Sequence, residues 1–329
     1  MFLNTLEGYN VFHQDIPRLP MGKYAHIITL RETNSFALFQ TDGELNLSRV
    51  SLGRAKEHQG HAPRIVLFKR KQSTPERLTG RELLRRYGLV NDCEYNSAHF
   101  CKHCPDCIYY GYAIGDKGSE RSKVLVDSAF SITSYDTSHQ QFTFNAPYEN
   151  GTMSEGGKMK SALGEQDYVV PQIYFPSVIT IKDPTEAEFI YVINNIMRTR
   201  RYGAQNTRTG SMHNTITAII FADGEIFSNL YLSQAVYDTL TPEERKKTPL
   251  ERSAVLDAMK TAVPTLLKED AIVSHTFAEE ALQAMLQEIH SVTSNEERLK
   301  LLLTQANEET NRYAQTYGVS SKESKAAKK

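Results

Sequence analysis

The chain has 329 residues, enough for roughly two domains with a substantial buried core. Its 38 Lys and Arg residues nearly balance its 39 Asp and Glu residues, for a formal net charge of −1. This balance excludes a protein that holds nucleic acid through a generally basic surface, because any polyanion would have to meet a local cluster of cations.

Positive charge is concentrated in one segment. Residues 49–87 contain eleven Lys and Arg against three Glu, whereas residues 219–310 contain sixteen acidic against eight basic residues. Such a split predicts a basic surface that attracts a polyanion and an acidic surface through which copies could attract one another head to tail. The alternative is that both segments form ordinary solvated helix faces.

The N-terminal residues lack the basic start and long apolar stretch of a signal peptide, and no apolar run approaches about 18 residues. The sequence therefore predicts a cytoplasmic protein without a membrane segment. In that compartment cysteines stay reduced and are available as metal ligands.

The first predicted elements are β-strands. Residues 25–30 and 35–40 are apolar and β-rich, and Asp42-Gly43 leads from the second run into a strand at 44–50. Because Asp-Gly between two such runs is a strong short-range hairpin signal, we predict a hairpin here.

A further strand and a helix are predicted next. Residues 64–71 predict the strand, and Thr79 with Glu82 three positions later has the spacing of a capping box, so a helix is predicted to begin at Thr79. Arg81, Arg85 and Arg86 would then lie near a helix N-terminus, which is a candidate phosphate site.

An insertion rich in cysteine follows. Cys101, Cys104 and Cys107 lie at two-residue intervals, and either Cys93 or His99 could supply a fourth ligand. This spacing predicts a tetrahedral zinc site. An iron–sulfur cluster is the rival, but the fourth cysteine of the ferredoxin motif does not follow. A deaminase zinc site would need His-x-Glu upstream, so we expect the zinc to be structural.

The middle of the chain predicts a strand at 123–133 and then a polar, glycine-rich segment at 134–167. A segment of this length without helical periodicity is usually disordered or a functional arm. A strand at 168–181 leads into a helix with Asp183 as its cap and Pro184 as its first residue.

The stretch 201–214 has the composition of an anion-binding loop. Gly203 and Gly210 allow the backbone to approach a ligand closely, and Arg201 and Arg208 supply positive charge. Because the stretch lacks the spacing of a Walker or dinucleotide-binding motif, a polar interdomain loop is the alternative.

Beyond this loop, Asp223-Gly224 between apolar runs predicts a second hairpin. From residue 241 the pattern is helical, with helix starts predicted at Thr241, Thr276 and Ser294. The last helix is amphipathic. Its predicted inner face comprises Leu299, Leu302, Leu303, Ala306, Thr310, Tyr313 and Tyr317.

Strands and single helices come first and helices come last, an order that predicts an α+β protein. We expect an antiparallel sheet of the ferredoxin-like or RRM-like type with a helical appendage. Residues 319–329 are expected to form a disordered tail.

The order of five features resembles the RAMP-superfamily backbone subunits of CRISPR interference complexes. They are the basic helix start at 79–85, the cysteine-rich loop ending in Gly111, the strand at 123–130, the long arm and the Gly/Arg loop at 201–210. The chain looks most like the family-seven-type backbone subunit of the type I-D complex, Cascade. The likeness covers residues 25–240.

This resemblance implies a subunit that binds guide RNA (crRNA), polymerises along it with further copies of itself and presents it to target nucleic acid beside other Cascade subunits. It also implies the domain organisation. An RRM-like palm would comprise 1–87, 112–133 and 168–240, with a zinc-binding insertion at 88–111, a thumb arm at 134–167 and a helical region at 241–318.

The resemblance assigns phosphate contacts to a set of basic and loop residues, which should form one continuous trough with Arg81, Arg201 and Arg208 on the same face. Contacts of this kind carry no base specificity, as a protein that accepts any guide requires. In the arm, Phe142, Phe144, Met153 and Met159 could wedge between bases or simply pack the arm. The proposed RNA contacts are Arg49, Arg54, Lys69, Lys71, Arg81, Arg85, Arg201, Gly203, Arg208, Gly210 and Ser211.

One departure from the wider superfamily bears on catalysis. Type III relatives cut RNA with an acidic residue in a palm loop, but the loop at 51–63 carries Glu57, His58 and His61 and no Asp. Asp42 is explained more simply by the hairpin turn. We therefore predict no catalytic residue. The alternatives are a metal-dependent endoribonuclease and a zinc-stabilised protein–protein adaptor.

Overall fold

The structure is a computed structural model that describes residues 2–41, 44–115, 118–143, 148–149, 154–155, 158–159, 165–203, 205 and 207–318. Its α-helices are α1 (Lys69–Arg86), α2 (Pro105–Tyr109), α3 (Glu186–Arg198), α4 (Asn229–Thr239), α5 (Pro242–Arg245), α6 (Arg252–Asp270), α7 (Glu279–Thr293) and α8 (Glu296–Tyr317). Its strands are β1 (Tyr24–Thr33), β2 (Gln40–Thr41), β3 (Glu44–Leu45), β4 (Leu47–Ser51), β5 (His61–Leu67), β6 (Tyr112–Ala113), β7 (Ser119–Glu120), β8 (Val124–Val126), β9 (Ala129–Phe130), β10 (His139–Thr143), β11 (Ser154–Glu155), β12 (Lys158–Met159), β13 (Glu165–Val169), β14 (Tyr174–Lys182), β15 (Met212–Ala222) and β16 (Ser274–Ala278).

The central sheet has the strand order β16-β15-β1-β14-β8, and every neighbouring pair is antiparallel. Strand β1 lies in the middle, with Tyr24 opposite Lys182 on one side and Ala222 on the other. Ile27 and Ile28 are both fully buried. Because successive residues of a strand point to opposite faces, both faces of the sheet must be covered.

Helices cover both faces of this sheet. On one face, Ile27 and Ile179 pack in a core with side chains of α1, α2, α3, α7 and α8. On the other face, Ile28 and Ile220 pack with side chains of α4 and α6. The protein thus has a mixed fold of helices and antiparallel sheet in three layers, and the sheet offers no open face to a ligand.

A smaller sheet with the order β4-β5-β9 extends the molecule beyond one end of β1. Its core is shared with Phe39, Phe175 and Tyr202. Strands β10 and β13 form a hairpin at the base of the predicted arm, with His139 opposite Val169. The arm and the Gly/Arg loop therefore meet the same small core.

Several local predictions are confirmed. Strand β2 pairs with β3 as the first Asp-Gly hairpin requires, although residues 42–43 themselves lie outside the described residues. Thr241 forms the predicted capping box with Glu244. Leu302, Ala306 and the other predicted inner residues of α8 are buried, except Tyr317, which is 43% exposed.

The predicted start of α1 at Thr79 is wrong, because the helix begins ten residues earlier, at Lys69. Pro75 lies inside this helix and has no N–H to donate to the Lys71 carbonyl. That carbonyl instead accepts the amide N–H of Gly203 at 3.3 Å. A contact from a residue far along the chain thus compensates for the proline, and no capping signal reveals it.

The predicted second hairpin is also wrong. Strand β15 ends at Ala222, and Ser228 then caps helix α4 by accepting the N–H of Tyr231. Instead of turning back, β15 pairs with β16, which lies about fifty residues further on. Asp223 holds this arrangement, since its carboxylate accepts the Val273 N–H at 3.1 Å.

The expectation of a separate helical appendage does not hold either. Thr276, the predicted cap of a helix, lies in β16 at the edge of the central sheet. Helix α8 packs into the main core beside α3. Two other caps shift by a residue or two, because Thr185 caps α3 and Asn295 caps α8. The predicted strand at 123–133 divides into β8 and β9, which belong to different sheets.

Candidate nucleic-acid interface and cysteine cluster

The Gly/Arg loop between α3 and β15 is anchored by a buried tyrosine. Tyr202 is fully buried, and its hydroxyl donates to Glu76 Oε1 at 2.9 Å. Asn214 Nδ2 donates to the same hydroxyl at 2.7 Å. The guanidinium of Arg31 lies 4.8 Å from the centre of the tyrosine ring and pairs with Glu76 at 2.9 Å. This buried network fixes the start of the loop.

The two glycines of the loop pack against the protein's own backbone. Gly203 has φ = +100°, and a Cβ there would lie 2.2 Å from the Leu38 carbonyl oxygen. A Cβ at Gly210 would lie 2.3 Å from the Phe36 carbonyl oxygen, which accepts the Gly210 N–H at 2.7 Å. Glycine is therefore required for packing. The amides of both residues already donate within the chain, which corrects the prediction that they face a ligand.

Helix α1 and the segment from α3 to the loop run side by side along a line that we call the α1 seam. Thr79 Oγ1 lies 2.9 Å from Thr199 Oγ1, and the Gly203 N–H reaches the Lys71 carbonyl near the start of α1. At the other end of α1, Arg86 and Arg198 line a cleft of about 350 Å³. The loop and α1 thus form one continuous surface about 26 Å long.

Exposed cations flank the α1 seam. Of the predicted RNA contacts, Lys69, Arg85, Arg201 and Arg208 are exposed, and Lys71 is half-buried with its ammonium on the Gln40 carbonyl. Four further exposed arginines lie beside them and are absent from the predicted RNA contacts, although the sequence already placed Arg86 near the predicted helix start. These residues are Arg70, Arg86, Arg198 and Arg200.

Two predicted RNA contacts already pair with carboxylates of the same chain, one in the interior and one at the surface. Arg81 is 2% exposed and pairs with Asp106 at 2.5 Å. It therefore does not share an open face with Arg201 and Arg208. Arg54 pairs with Glu269 at 2.5 Å, so part of the basic segment is neutralised by the acidic segment of the same chain. Burial corrects the assignment of Arg81 to phosphate, whereas the phosphate contact of Arg54, whose side chain is 30% exposed, stays a prediction.

The other predicted RNA contacts lie away from the α1 seam or are partly buried in the Gly/Arg loop. Arg49 is exposed on β4. Ser211 is half-buried, and its N–H donates to Ser35 Oγ at 2.8 Å. Phe142, in the arm, is 38% exposed. Phe144 and Met153 lie outside the described residues, and only the backbone of Met159 is described, in β12.

The four cysteines come together as predicted. Their sulfur atoms all lie within 4.8 Å of one another. Cys93 Sγ is 3.5 Å from Cys107 Sγ and 3.9 Å from Cys104 Sγ, and Cys101 Sγ is 3.9 Å from Cys107 Sγ. His99, the alternative fourth ligand, is 74% exposed and faces Glu94 at 3.3 Å. The geometry selects Cys93 to complete the set.

The thiols of the cysteine cluster differ in pKa, which is lowered for Cys101 and Cys93 and raised for Cys104 and Cys107. Hydrogen bonds from Cys104, Cys107 and Cys93 lower the pKa of the Cys101 thiol, with Cys104 contributing most. Hydrogen bonds with Cys101 raise the pKa of both Cys104 and Cys107. Arg81 Nη1 lies 3.2 Å from Cys93 Sγ, so a buried cation adjoins the sulfurs. Such surroundings stabilise thiolate, the form that binds metal.

Asp106 joins this cluster to α1. It is fully buried in α2 and accepts bonds from Arg77 Nε at 2.9 Å and Arg81 Nε at 2.7 Å. Arg85 Nη2 donates to the Cys93 carbonyl at 2.8 Å. The last turns of α1 are therefore bound to the cysteine cluster through their arginines.

The loop at 51–63 is pinned to the helices rather than open. His58 Nδ1 lies 2.7 Å from Asp238 Oδ1, and His58 Nε2 lies 2.5 Å from Arg245 Nη1. Since arginine can only donate, the second ring nitrogen is an acceptor and the first carries the proton. With both nitrogens engaged, His58 holds the loop in place and is not positioned as a base.

None of the helices in the described part of the chain combines the length and apolar composition that a bilayer crossing requires.

Comparisons with known proteins agree with this architecture. The crystal structure of Thermofilum pendens Csc2 superposes with a TM-score of 0.60 at 14% identity, covering 94% of this chain and 95% of that one. A chain of a CRISPR RNA-guided surveillance complex, pre-nicking, superposes with a TM-score of 0.52 at 10% identity, covering 82% and 99%. At these identities the likeness establishes the fold. Among proteins of curated function, none matches the sequence. The sequence model of the Csc2 CRISPR family matches residues 11–303, and the chain therefore belongs to that family.

Proposed function

We propose that this chain is a guide-RNA-binding backbone subunit of a CRISPR RNA-guided surveillance complex of type I-D. The observation that carries the proposal is the band of exposed cations along the α1 seam in a member of the Csc2 CRISPR family. Such cations hold phosphates without regard to base sequence. We name this band the cationic track. Its exposed members are Lys69, Arg70, Arg85, Arg86, Arg198, Arg200, Arg201 and Arg208, and the half-buried Lys71 lies among them.

The palm is proposed to be RRM-like. Leaving β16 aside, the elements β1, α1, β8, β14, α3 and β15 follow the β-α-β-β-α-β order of ferredoxin-like folds. Both faces of this sheet are covered by helices, so RNA is not held on the sheet face as in RRM domains. It is held by the track at the end of the sheet.

The cysteine cluster is proposed to hold structural zinc. A tetrahedral ion with Zn–S distances near 2.3 Å places its sulfurs about 3.8 Å apart. Three of the sulfur pairs found here are 3.5–3.9 Å apart, and all four sulfurs lie within 4.8 Å of one another. Four sulfurs leave no open position for a substrate. The role of Cys93, Cys101, Cys104 and Cys107 is then to clamp the insertion, and Arg81 and Asp106 tie that clamp to α1.

The proposed role as a backbone subunit implies that copies of the chain polymerise along the guide and bind other subunits. The arm that begins at β10 and ends at β13 would reach a neighbouring copy along the guide, and other subunits of the complex would flank the filament. The target strand would pair with the bases left free by phosphate binding. A complex of this kind works in the cytoplasm.

The backbone subunit is proposed to lack nuclease activity. Glu57 is exposed in the pinned loop and His58 is locked between Asp238 and Arg245. Asp42 lies outside the described residues. The endoribonuclease alternative predicts divalent-metal-dependent cutting of target RNA that Asp42→Ala or Glu57→Ala abolishes on a denaturing gel.

The proposal is tested with the native protein. A high ratio of absorbance at 260 nm to 280 nm after purification would reveal retained RNA, whereas the adaptor alternative predicts none. Added single-stranded RNA should bind with an affinity that falls steeply with salt and varies little with sequence. Binding that ignores salt, or that strongly prefers one sequence, would contradict guide binding through phosphates.

A further inference from the structure

Two exposed aromatic rings stand beside the Gly/Arg loop. Phe36 is 37% exposed and Phe142 is 38% exposed. Their ring centres are 4.9 Å apart with an interplanar angle of 89°, and Phe142 also contacts Tyr168 at 5.7 Å. A small cluster of aromatic rings left in contact with water has free surface for a further planar group.

The backbone that carries Phe36 is fixed on both sides. Its carbonyl accepts the Gly210 N–H at 2.7 Å on the side of the loop. The next residue, Ala37, donates to the Val169 carbonyl at 3.0 Å on the side of the arm. Phe36 is therefore held at the junction of loop and arm while its side chain remains exposed.

Positive charge lies on the loop whose Gly210 N–H bonds to the Phe36 carbonyl. Arg208 is exposed two residues before Gly210, and Arg201 Nη1 is held on the Thr209 carbonyl at 2.6 Å. Aromatic rings beside cations are the means by which proteins bind single strands without sequence preference, because every base has a π-face. An apolar partner would gain nothing from the arginines, so the charge favours a nucleotide.

We propose that Phe36 is a stacking site for one nucleobase of a single strand whose phosphates lie on the Gly/Arg loop, with Phe142 holding the ring of Phe36 in place. This inference rests on the proposed function, since it names a base contact within the same interface. It adds a residue that neither the charge pattern nor the loop composition indicated.

The chain contains no tryptophan, which allows a direct test. The variant Phe36→Trp carries a single indole whose fluorescence should fall when saturating oligouridine or oligoadenosine RNA stacks on it. Leu301→Trp places the indole at a position that is 60% exposed on α8, and its fluorescence should not change. If Phe36→Trp binds RNA normally without quenching, the stacking site is disproved while guide binding stands. Failure of the wild-type chain to bind RNA would instead remove the proposed function.

A second pair of variants separates stacking from packing. Phe36→Leu keeps an apolar side chain against Phe142 but removes the π-face, and it should weaken RNA binding by about tenfold. The slope of log affinity against log salt should stay unchanged, because every cation that meets a phosphate is still present. Phe36→Tyr should bind as the wild type does. Wild-type affinity in Phe36→Leu would overturn the proposal. Quenching of Phe36→Trp by added wild-type chain without RNA would also overturn it, because the ring would then contact another copy.

Discussion

The cysteine cluster and the Gly/Arg loop both contain arginines, but they use them in opposite ways. In the cluster, Arg81 is buried and its charge is neutralised by Asp106 and the nearby sulfurs. At the loop, the buried pair of Arg31 on β1 and Glu76 on α1 holds Tyr202 in place, and Arg201 stays exposed. A cation bound inside the protein stabilises the fold, and only one left outside can meet a phosphate. Burial, rather than the presence of arginine, separates the two roles.

The largest expected effect is on the cysteine cluster. Cys104→Ser should abolish binding of about one zinc ion per chain and destabilise the insertion by several kcal/mol, because metal binding and folding are coupled. Elemental analysis and thermal unfolding measure both effects. The matched control His99→Ala should keep the metal, since His99 is 74% exposed. Loss of zinc from His99→Ala with retention in Cys93→Ser would reverse the ligand assignment.

Substitution of Glu76, which is far from the Gly/Arg loop in sequence, should lower the free energy of unfolding. Glu76→Gln leaves the fully buried Arg31 without its counter-charge, and such a break costs about 3–5 kcal/mol. Urea unfolding measures the loss. Glu82→Gln changes an exposed carboxylate on the same helix and should stay within about 0.5 kcal/mol of the wild type. Equal effects of the two substitutions would show that the buried pair does not anchor the loop.

Acid should weaken the central sheet that carries Arg31. Burial lowers the pKa of His26, on β1, to about 4 from its ordinary value of 6.5. As pH falls from 6.5 to 4 the unfolded chain binds a proton that the folded chain does not, so stability present above pH 6.5 is lost over this window. The loss is about 3 kcal/mol.

The measurement is urea unfolding at a series of pH values, compared between the wild type and His26→Gln. The variant should show a shallower decline between pH 6.5 and 4, because it lacks the titrating group. A decline as steep as that of the wild type would assign the acid sensitivity to other groups.

The smallest expected effect concerns RNA binding. Arg201→Ala combined with Arg208→Ala should weaken single-stranded RNA binding roughly tenfold and reduce the salt slope by about 0.7 for each phosphate no longer neutralised. Thermal stability should change little, since both side chains are exposed. Filter binding at several salt concentrations measures the slope, with Lys300→Ala on α8 as the control cation.

The variant Arg81→Gln tests whether a buried arginine contributes to stability without contributing to RNA binding. It should lower thermal stability, because Asp106 would lose a buried partner, yet leave the salt slope of the folded protein unchanged. A reduced slope with normal stability would place Arg81 on RNA after all.

The predictions that succeeded depend on neighbours in sequence, although the equally local capping signals at Thr79 and Thr276 failed. The cysteine spacing, the Thr241 capping box and the apolar face of α8 each involve residues a few positions apart. The two Asp-Gly turns show the limit of this reasoning. Asp42-Gly43 joins the paired strands β2 and β3, but Asp223-Gly224 does not join a hairpin, because β16 from about fifty residues away pairs with β15 instead.

The sequence composition predicted the positive charge of the interface, but it did not predict which residues form that interface. The sequence shows a basic segment and a Gly/Arg loop, and the structure places them side by side. The sequence alone does not reveal why α1 tolerates Pro75. The structure shows that the Gly203 amide donates to the Lys71 carbonyl. The exposed arginines at 70, 198 and 200 were not predicted as RNA contacts, because they lie outside the predicted helix start and the predicted loop.

By itself, the sequence determined the α+β class, the four clustered cysteines and the presence of concentrated positive charge, because residue type and short spacing suffice for these. Tertiary structure alone decided which arginines are buried, which glycines pack against backbone and which aromatic rings stay in water. Those outcomes depend on contacts between residues that are 25 positions apart, as for Arg81 with Asp106, or 126 positions apart, as for Tyr202 with Glu76. No local pattern encodes such contacts.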